Sequence, residues 1–109
     1  MRLIASDLAL DLLRALVPLF PKLLAQDREL EDQLRRSARS IHLNLREANK
    51  RKGADRANRF GWAIAEANEV TGALEIAVVM GYLDESTVEA ALALADRVRA
   101  VTFRLANPR

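Results

Sequence analysis

The residues whose types and spacing could do chemistry are mostly basic, and they concentrate in one stretch. Residues 33–52 read QLRRSARSIHLNLREANKRK and hold seven Lys or Arg residues, one histidine and a single acid, Glu47. Guanidinium groups stay charged and match the geometry of phosphate oxygens, so this stretch favours binding of a polyanion or an acidic partner. The competing interpretation is the solvated side of a bundle helix.

Helical spacing aligns part of these charges. At 100° per residue, five basic side chains fall within about 80° of one another on one helix face. These are Arg35, Arg39, His42, Arg46 and Lys50. Such a stripe gives salt-sensitive binding that does not depend on base sequence, because each neutralised phosphate releases a counterion. We therefore predict a nucleic-acid-binding face formed by Arg35, Arg39, Arg46, Lys50, Arg51 and Lys52.

Two other interpretations of the stripe stay open. Glu31 is spaced for an ion pair with Arg35, and Asp32 for one with Arg36, so the stripe could be a solvated or intersubunit ion-pair face. It could also meet an acidic protein partner. Few aromatic residues lie near it, so stacking on single-strand bases is poorly supported by the sequence.

The distribution of charge along the chain favours a positive patch. The net charge is only +2. Residues 35–59 contain nine basic and two acidic residues, whereas the remainder contains eight basic and thirteen acidic residues. This asymmetry predicts an electropositive surface, unless opposite patches neutralise one another within the bundle or between copies.

Other chemistry has little support. The chain has no cysteine and one histidine, His42, so a thiolate site or a His-rich metal site is not expected. Glu66 and Glu69 form Glu-x-x-Glu, not the Glu-x-x-His of di-iron bundles. Ser37 and Ser40 lack the nucleophile-elbow context of a serine hydrolase. The four glycines are scattered along the chain and form no Gly-rich phosphate-binding loop. We predict no catalytic residue, no metal and no cofactor, and hence a protein that is not an enzyme.

Apolar residues recur at steps of three and four along four segments, which predicts four helices. The segments are residues 3–19, 28–51, 56–80 and a fourth that Asp84 or Ser86 caps. Pro18 predicts a kink or stop, and residues 22–27 a first joint, with room for one helical turn of its own. Gly53 suits the left-handed backbone conformation that follows a helix, and Asp55 can cap the next helix. Gly81 is predicted to end the third helix.

Short joints between four helices predict an all-α, antiparallel up-down-up-down four-helix bundle, with residues 1–109 as one domain. The predicted core seam of the second helix is Leu30, Leu34, Ala38, Ile41, Leu45 and Ala48. That of the third is Phe60, Ile64, Ala67, Thr71, Leu74 and Val78. That of the fourth is Val88, Ala91, Ala95, Val98, Thr102 and Leu105.

The third predicted helix is apolar on two sides. A four-helix bundle buries one side of each helix, so the other side predicts an apolar interface between copies of the chain. The alternative is that the neighbouring helices wrap widely around it. The predicted homo-oligomer interface is Trp62, Ala65, Glu69, Gly72, Ala73, Ile76, Val79 and Met80.

The N-terminal residues do not form a signal peptide pattern, since Asp7 follows soon after Arg2 and no long apolar run comes next. No segment of about 18 uncharged apolar residues exists either. We expect no membrane partner and a cytoplasmic location.

Residues 33–48, QLRRSARSIHLNLREA, resemble a known bacterial pattern. The pattern Gln-Ile-Arg-Arg-Ala-Ala-x-Ser-Ile-Pro-x-Asn-Ile-Ala-Glu-Gly belongs to small four-helix-bundle proteins first recognised in intervening sequences of 23S ribosomal RNA genes. Farther on, the resemblance is carried by Phe60, Ala65, Glu69, Leu74 and the MGYL of residues 80–83, and it spans about residues 8–105. The family's proline is His42 here, its glycine is Ala48 and one of its alanines is Arg46. The first two departures favour a straighter helix.

The resemblance implies an antiparallel four-helix bundle that commonly assembles as a homopentamer. It also implies kinship with accessory proteins of diversity-generating retroelements, which are basic pentamers that partner a reverse transcriptase and bind nucleic acid. The partners it implies are therefore further copies of this chain, RNA or DNA, and a reverse transcriptase or another protein. Most relatives have no assigned biochemical activity.

Overall fold

The computed structural model describes residues 4–108, which are helical almost throughout and contain no strand. The predicted all-α four-helix bundle is confirmed, although its first helix is broken in two. The predicted start at Leu3 lies outside the described residues. The helices are α1 (Ile4–Leu16), α2 (Phe20–Gln26), α3 (Arg28–Ala48), α4 (Gly53–Val79) and α5 (Glu85–Ala106).

The first arm of the bundle consists of α1, a 3₁₀ turn at Val17–Leu19, and α2. Pro18 and Pro21 each lie in the opening turn of a helical segment, where the missing backbone N–H costs no hydrogen bond. The helical turn expected within the joint at residues 22–27 is present, since α2 runs to Gln26, and the joint itself is shorter than predicted. Only Asp27 separates α2 from α3, and its carboxylate accepts a hydrogen bond from the Leu30 N–H at 3.0 Å.

The long helices run antiparallel. Asn44 of α3 contacts Arg59 of α4, and Ser37 contacts Glu69, so residue numbers fall along α3 as they rise along α4. The short joints on either side of α4 require the same antiparallel order of its neighbours. At 1.5 Å per residue α4 is about 40 Å long, which matches the 42 Å long axis of the molecule.

The core lies between α1, α3, α4 and α5. All six residues of the predicted α3 seam are buried, and so are the first five of the α5 seam. The predicted α4 seam is only half right. Ile64, Thr71 and Val78 are partly exposed, and the residues buried beside Phe60, Ala67 and Leu74 are Ala63, Val70, Ala73 and Ala77.

The α3–α4 joint occupies Asn49–Lys52, and α4 begins at Gly53. Gly53 has a positive φ of 59°, although it lies at the start of α4 and not directly after α3. Asp55 lies inside the first turn of α4, where its charge favours the positive helix end, and not at the predicted capping position.

The α4–α5 joint follows the prediction more closely. Gly81 has φ 78°, its N–H donates to the Val78 carbonyl, and the Tyr82 N–H donates to the Ala77 carbonyl at 2.8 Å. These two bonds form a Schellman motif that ends α4. Of the two predicted capping residues, Asp84 is at the N-cap position of α5, although its side chain makes no capping bond, and Ser86 lies inside the helix.

Candidate nucleic-acid interface

The bundle carries positive charge at one end and negative charge at the other. The end that holds the α3–α4 joint comprises residues 4–10, 38–66 and 96–108, with ten basic and five acidic residues. The opposite end, residues 11–37 and 67–95, has five basic and ten acidic residues. We call these the basic end and the acidic end. The sequence pattern placed the positive charge in residues 35–59, and antiparallel folding adds Arg97 and Arg104 of α5 to the same end.

Part of the predicted stripe is already neutralised by acids on its own helix. The Arg35 guanidinium pairs with the Glu31 carboxylate at 3.1 Å and with Asp32 at 2.9 Å. Arg36 pairs with Asp32 at 2.9 Å. Arg35 therefore lies in the acidic end with two partners, and it is the least available of the predicted nucleic-acid contacts.

Four of the predicted contacts are available to a ligand. Arg39 and Arg46 of α3 and Lys50 and Lys52 of the joint are exposed, and none forms an ion pair with any of residues 4–108. An exposed cation without a partner keeps its charge available to a phosphate, so this set is the centre of the candidate interface.

Arg51 also lies at the basic end, but its ion pairs stabilise the α3–α4 joint. Its guanidinium donates to the Glu47 carboxylate at 3.0 Å and to the Asp55 carboxylate at 3.1 Å, and so links α3 to α4. Hydrogen bonding and the charge of Arg51 lower the pKa of Glu47 below its ordinary value. The Glu47 hydrogen bond, with the charges of Asp55 and Glu47, raises the pKa of Arg51. The pair stays ionised at neutral pH.

His42 belongs to the packing of the bundle. It is half-buried, and its Nδ1 atom lies 3.0 Å from the Ser6 carbonyl oxygen of α1. The helix wheel placed it in the stripe with Arg35, Arg39, Arg46 and Lys50, but its side chain is engaged with the neighbouring helix.

A groove between α3 and α4 contains groups that sequence reasoning did not bring together. Trp62 is 51% exposed, and the Arg59 guanidinium lies 5.0 Å from the centre of its ring. Arg59 also donates to the Asn44 side-chain oxygen at 3.3 Å. Ser40, Asn44, Trp62, Ala65 and Glu66 line a cavity of about 320 Å³ here. An aromatic residue flanked by charges on the same helix was the available signal, but its proximity to Ser40 and Asn44 depends on how α3 pairs with α4.

The second apolar side of α4 is present on the surface. Ile76, Val79 and Met80 are 50%, 86% and 58% exposed. Trp62, Ala65 and Glu69 are exposed as well, and Gly72 is half-buried. Ala73 does not belong to this side, because it is 3% exposed and lies in the core of its own chain. The error has the same origin as that of the α4 seam. Ala63, Val70 and Ala77 are buried in place of the predicted Ile64, Thr71 and Val78, so the buried side of the helix is rotated toward Ala73.

Two hollows adjoin on this side of α4. One, of about 500 Å³, is lined by Gly72, Glu75, Ile76, Val79 and Met80. The other, of about 480 Å³, lies between α4 and α5 and includes Glu75, Val79 and Leu92. Large exposed aliphatic side chains around open hollows are the kind of surface that another protein surface covers.

The mid-helix glycines of α4 have no packing role within the chain. A Cβ atom added at Gly61 or Gly72 would have no neighbour within 4 Å among the described residues. No close helix contact inside the chain requires a glycine at either position. The buried Ser37 hydroxyl donates a hydrogen bond to the Glu69 carboxylate at 3.1 Å.

Within residues 4–108 no group of three or more acidic or histidine side chains could hold a metal ion. In the same range no helix is both long and apolar enough to cross a membrane.

The chain is similar to proteins of one family in both sequence and fold. A family model described as 23S rRNA-intervening sequence protein matches residues 3–104. Among solved structures, a protein of unknown function from the S23 ribosomal protein family of Bacteroides thetaiotaomicron is 25% identical. The similarity covers 95% of this chain and 99% of that one, with a TM-score of 0.87. No curated protein matches the sequence.

Proposed function

The chain belongs to the 23S rRNA-intervening sequence protein family, and from this premise we propose that it is a non-enzymatic homo-oligomeric scaffold whose basic end binds nucleic acid. One observation carries the proposal: the unpaired cations Arg39, Arg46, Lys50 and Lys52 lie in the half of the bundle that has twice as many basic as acidic residues. The apolar side of α4 supports assembly. A pentamer is the subunit number that the family resemblance implies.

Assembly would strengthen the charge argument. In a ring with cyclic symmetry, all copies are related by rotation about one axis. If the bundles stand along that axis, every basic end lies on the same side of the ring. Several basic ends would then share one face, and a nucleic acid would meet more cations there than one chain offers.

Fluorescence anisotropy with labelled RNA and DNA across a salt series tests the binding. The test variant reverses two unpaired cations of the basic end, Arg46→Glu with Lys50→Glu. The matched control reverses two exposed cations of the acidic end, Lys22→Glu with Arg28→Glu, and so changes the net charge equally. We expect the test variant to bind more weakly and to lower the salt slope by about two, whereas the control keeps most of the affinity. Equal losses in both variants, or no binding by the wild type at low salt, contradict the proposal.

Light scattering tests the assembly. Ile76→Glu places a charge among the exposed aliphatic residues of α4 and should yield a folded monomer. Leu24→Glu makes the same change on α2, where the side chain is also about half exposed, 47% against 50% for Ile76. It should leave the assembly intact. A wild-type protein that is monomeric at micromolar concentration rules out the scaffold.

The second candidate function is a protein-interaction scaffold that binds no nucleic acid. The acidic rim of the α4–α5 hollow, Glu75, Glu85 and Glu89, favours it because this rim could meet the cations of another copy or a basic partner. Under this alternative, Arg46→Glu with Lys50→Glu dissociates the oligomer and the wild type fails to bind nucleic acid. A reverse transcriptase encoded beside the gene would favour the nucleic-acid function.

A further inference from the structure

We infer that the α3–α4 groove at Trp62 is a stacking site for one base of a single-stranded nucleic acid, an inference that rests on the proposed nucleic-acid binding. Trp62 is 51% exposed, and the cavity beside it measures about 320 Å³. That volume is ample for a purine or pyrimidine. Base stacking on an exposed aromatic ring is the main sequence-tolerant contact that proteins make with single strands.

The Trp62 ring is held in place before any ligand arrives. The Arg59 guanidinium lies 5.0 Å from the ring centre, and Arg59 is itself fixed by its bond to the Asn44 side-chain oxygen at 3.3 Å. The Asn44 amide donates to the Ser40 carbonyl oxygen at 3.0 Å and to its hydroxyl oxygen at 3.1 Å. A ring that is already ordered loses little conformational freedom when a base stacks on it.

The polar groups left in the groove can bind the edge of a stacked base. The side-chain oxygen and nitrogen of Asn44 are both already hydrogen-bonded. Glu66, in contrast, has no hydrogen bond or ion pair with residues 4–108. The Ser40 oxygen accepts from Asn44, which leaves its hydrogen free to donate. The groove thus offers a carboxylate acceptor and a hydroxyl donor. The Watson–Crick edge of a base carries a donor beside an acceptor and so satisfies both groups: adenine and cytosine offer an amine beside a ring nitrogen, and thymine and uracil offer the N3–H beside a carbonyl oxygen.

The same carboxylate keeps phosphate out of the groove, so the backbone of the strand must run elsewhere. Lys52 precedes the first residue of α4, and Trp62 follows that residue by nine positions, about 14 Å along the helix. The unpaired Lys50 and Lys52 at the joint are therefore within reach of the phosphates of a strand whose base occupies the groove.

The groove is separate from the apolar surface that would join copies. Trp62 and Ile76 are fourteen residues apart on α4, about 21 Å. The exposed polar residues Asn68 and Glu69 lie between them. Trp62 is thus assigned to base binding, and the aliphatic residues at the other end of α4 to assembly.

Trp62 is the sole tryptophan of the chain, so its fluorescence reports on this groove alone. The experiment titrates the full-length protein with oligo(dA), oligo(dC) and oligo(dT) of equal length, with a duplex, and with inorganic polyphosphate. We expect each of the three single strands to quench Trp62 fluorescence, and the duplex, whose bases are already paired and stacked, to quench it little. Polyphosphate should compete for the basic end without quenching, because it has no base to stack.

Substitutions separate stacking from charge and from assembly. Trp62→Ala should weaken binding of oligo(dA) by on the order of tenfold, while Trp62→Phe keeps part of the affinity. Neither variant should change the binding of polyphosphate or the assembly state seen by light scattering.

The results that overturn the inference differ from those that overturn the proposed function. If single strands and polyphosphate bind but Trp62 is not quenched and Trp62→Ala has no effect, the stacking site is wrong and the basic end remains. If Trp62→Ala changes the assembly state, Trp62 is an interface residue and the stacking site is wrong. If neither single strands nor polyphosphate bind, both the proposed function and this inference fail.

Discussion

The Nδ1 atom of His42 lies 3.0 Å from the carbonyl oxygen of Ser6, and this contact joins α3 to α1. A carbonyl oxygen only accepts, so Nδ1 carries the hydrogen in this contact. The side chain that shares a helix face with the predicted cationic stripe is thereby committed to packing. The cations on either side of it, Arg39 and Arg46, remain exposed.

Replacing His42 should therefore affect stability and not binding. We expect His42→Ala to lower the free energy of unfolding by about 1 kcal/mol, the net worth of one part-buried hydrogen bond. Leu43→Ala, at the exposed neighbouring position, should change it by about 0.5 kcal/mol or less. Urea unfolding measures both. A His42→Ala protein that keeps its stability but loses affinity for nucleic acid would place His42 in the interface after all.

The buried seam of α4 gives a second prediction with a matched pair. Val70 is 0% exposed and Val79 is 86% exposed on the same helix. Val70→Ala removes packed atoms from the core and should cost about 2 kcal/mol of unfolding free energy. Val79→Ala should leave the unfolding of a monomeric variant nearly unchanged, and it should weaken assembly in the wild-type background. Chemical denaturation and light scattering provide the two readouts. Equal costs in a monomer would contradict the assignment of Val70 to the core and of Val79 to the surface.

The α4 seam was the least predictable part of the fold for a physical reason. Alanine and aliphatic residues lie on both sides of the helix, so steps of three or four fit two neighbouring arcs almost equally well. Val70 and Thr71 illustrate the ambiguity, since either could follow Ala67. Tertiary packing against α3 and α5 decided between them. The α3 seam had no such ambiguity, because charged residues border its apolar residues on both sides.

The candidate site, too, could be predicted from the sequence only in part. The cations of α3 are visible in the sequence because they share one helix. The i,i+4 spacing of acids and cations correctly predicted the ion pairs of Arg35 with Glu31 and of Arg36 with Asp32. The groove at Trp62 depends on contacts between residues far apart in the chain, such as Asn44 with Arg59, and so it required the antiparallel pairing of α3 and α4.

Two glycines, one within α4 and one just after it, give a third prediction, with opposite signs at the two sites. Gly81 has φ 78°, a conformation that costs an L-residue about 1 kcal/mol or more, so Gly81→Ala should destabilise the chain by that amount. Gly61 is inside α4 and has no atom near its missing Cβ, so Gly61→Ala should stabilise it by roughly 0.5–1 kcal/mol. Thermal unfolding gives the signs. A destabilising Gly61→Ala that also alters the assembly would show that another copy approaches this glycine closely.

The last prediction concerns the Glu47–Arg51 pair at the α3–α4 joint. The pKa of Glu47 is lowered from 4.5 by Arg51, so its charged form is favoured in the folded state. The stability it contributes is therefore present above pH 4.5 and is lost as the pH falls through the lower folded value. Glu47→Gln should lower the unfolding temperature slightly at neutral pH, and this difference should vanish in acid. Because the pair is exposed to solvent, high salt should also shrink the difference.

The same substitution has the opposite effect on the proposed function. Glu47→Gln removes one of the five acids of the basic end and frees part of the Arg51 guanidinium. Nucleic-acid binding should therefore tighten and its salt slope should steepen, while the joint becomes less stable. Anisotropy and thermal unfolding on one protein sample separate the two effects. Weaker binding, with the fold and assembly intact, would mean that the ordered joint matters more to the ligand than its charge.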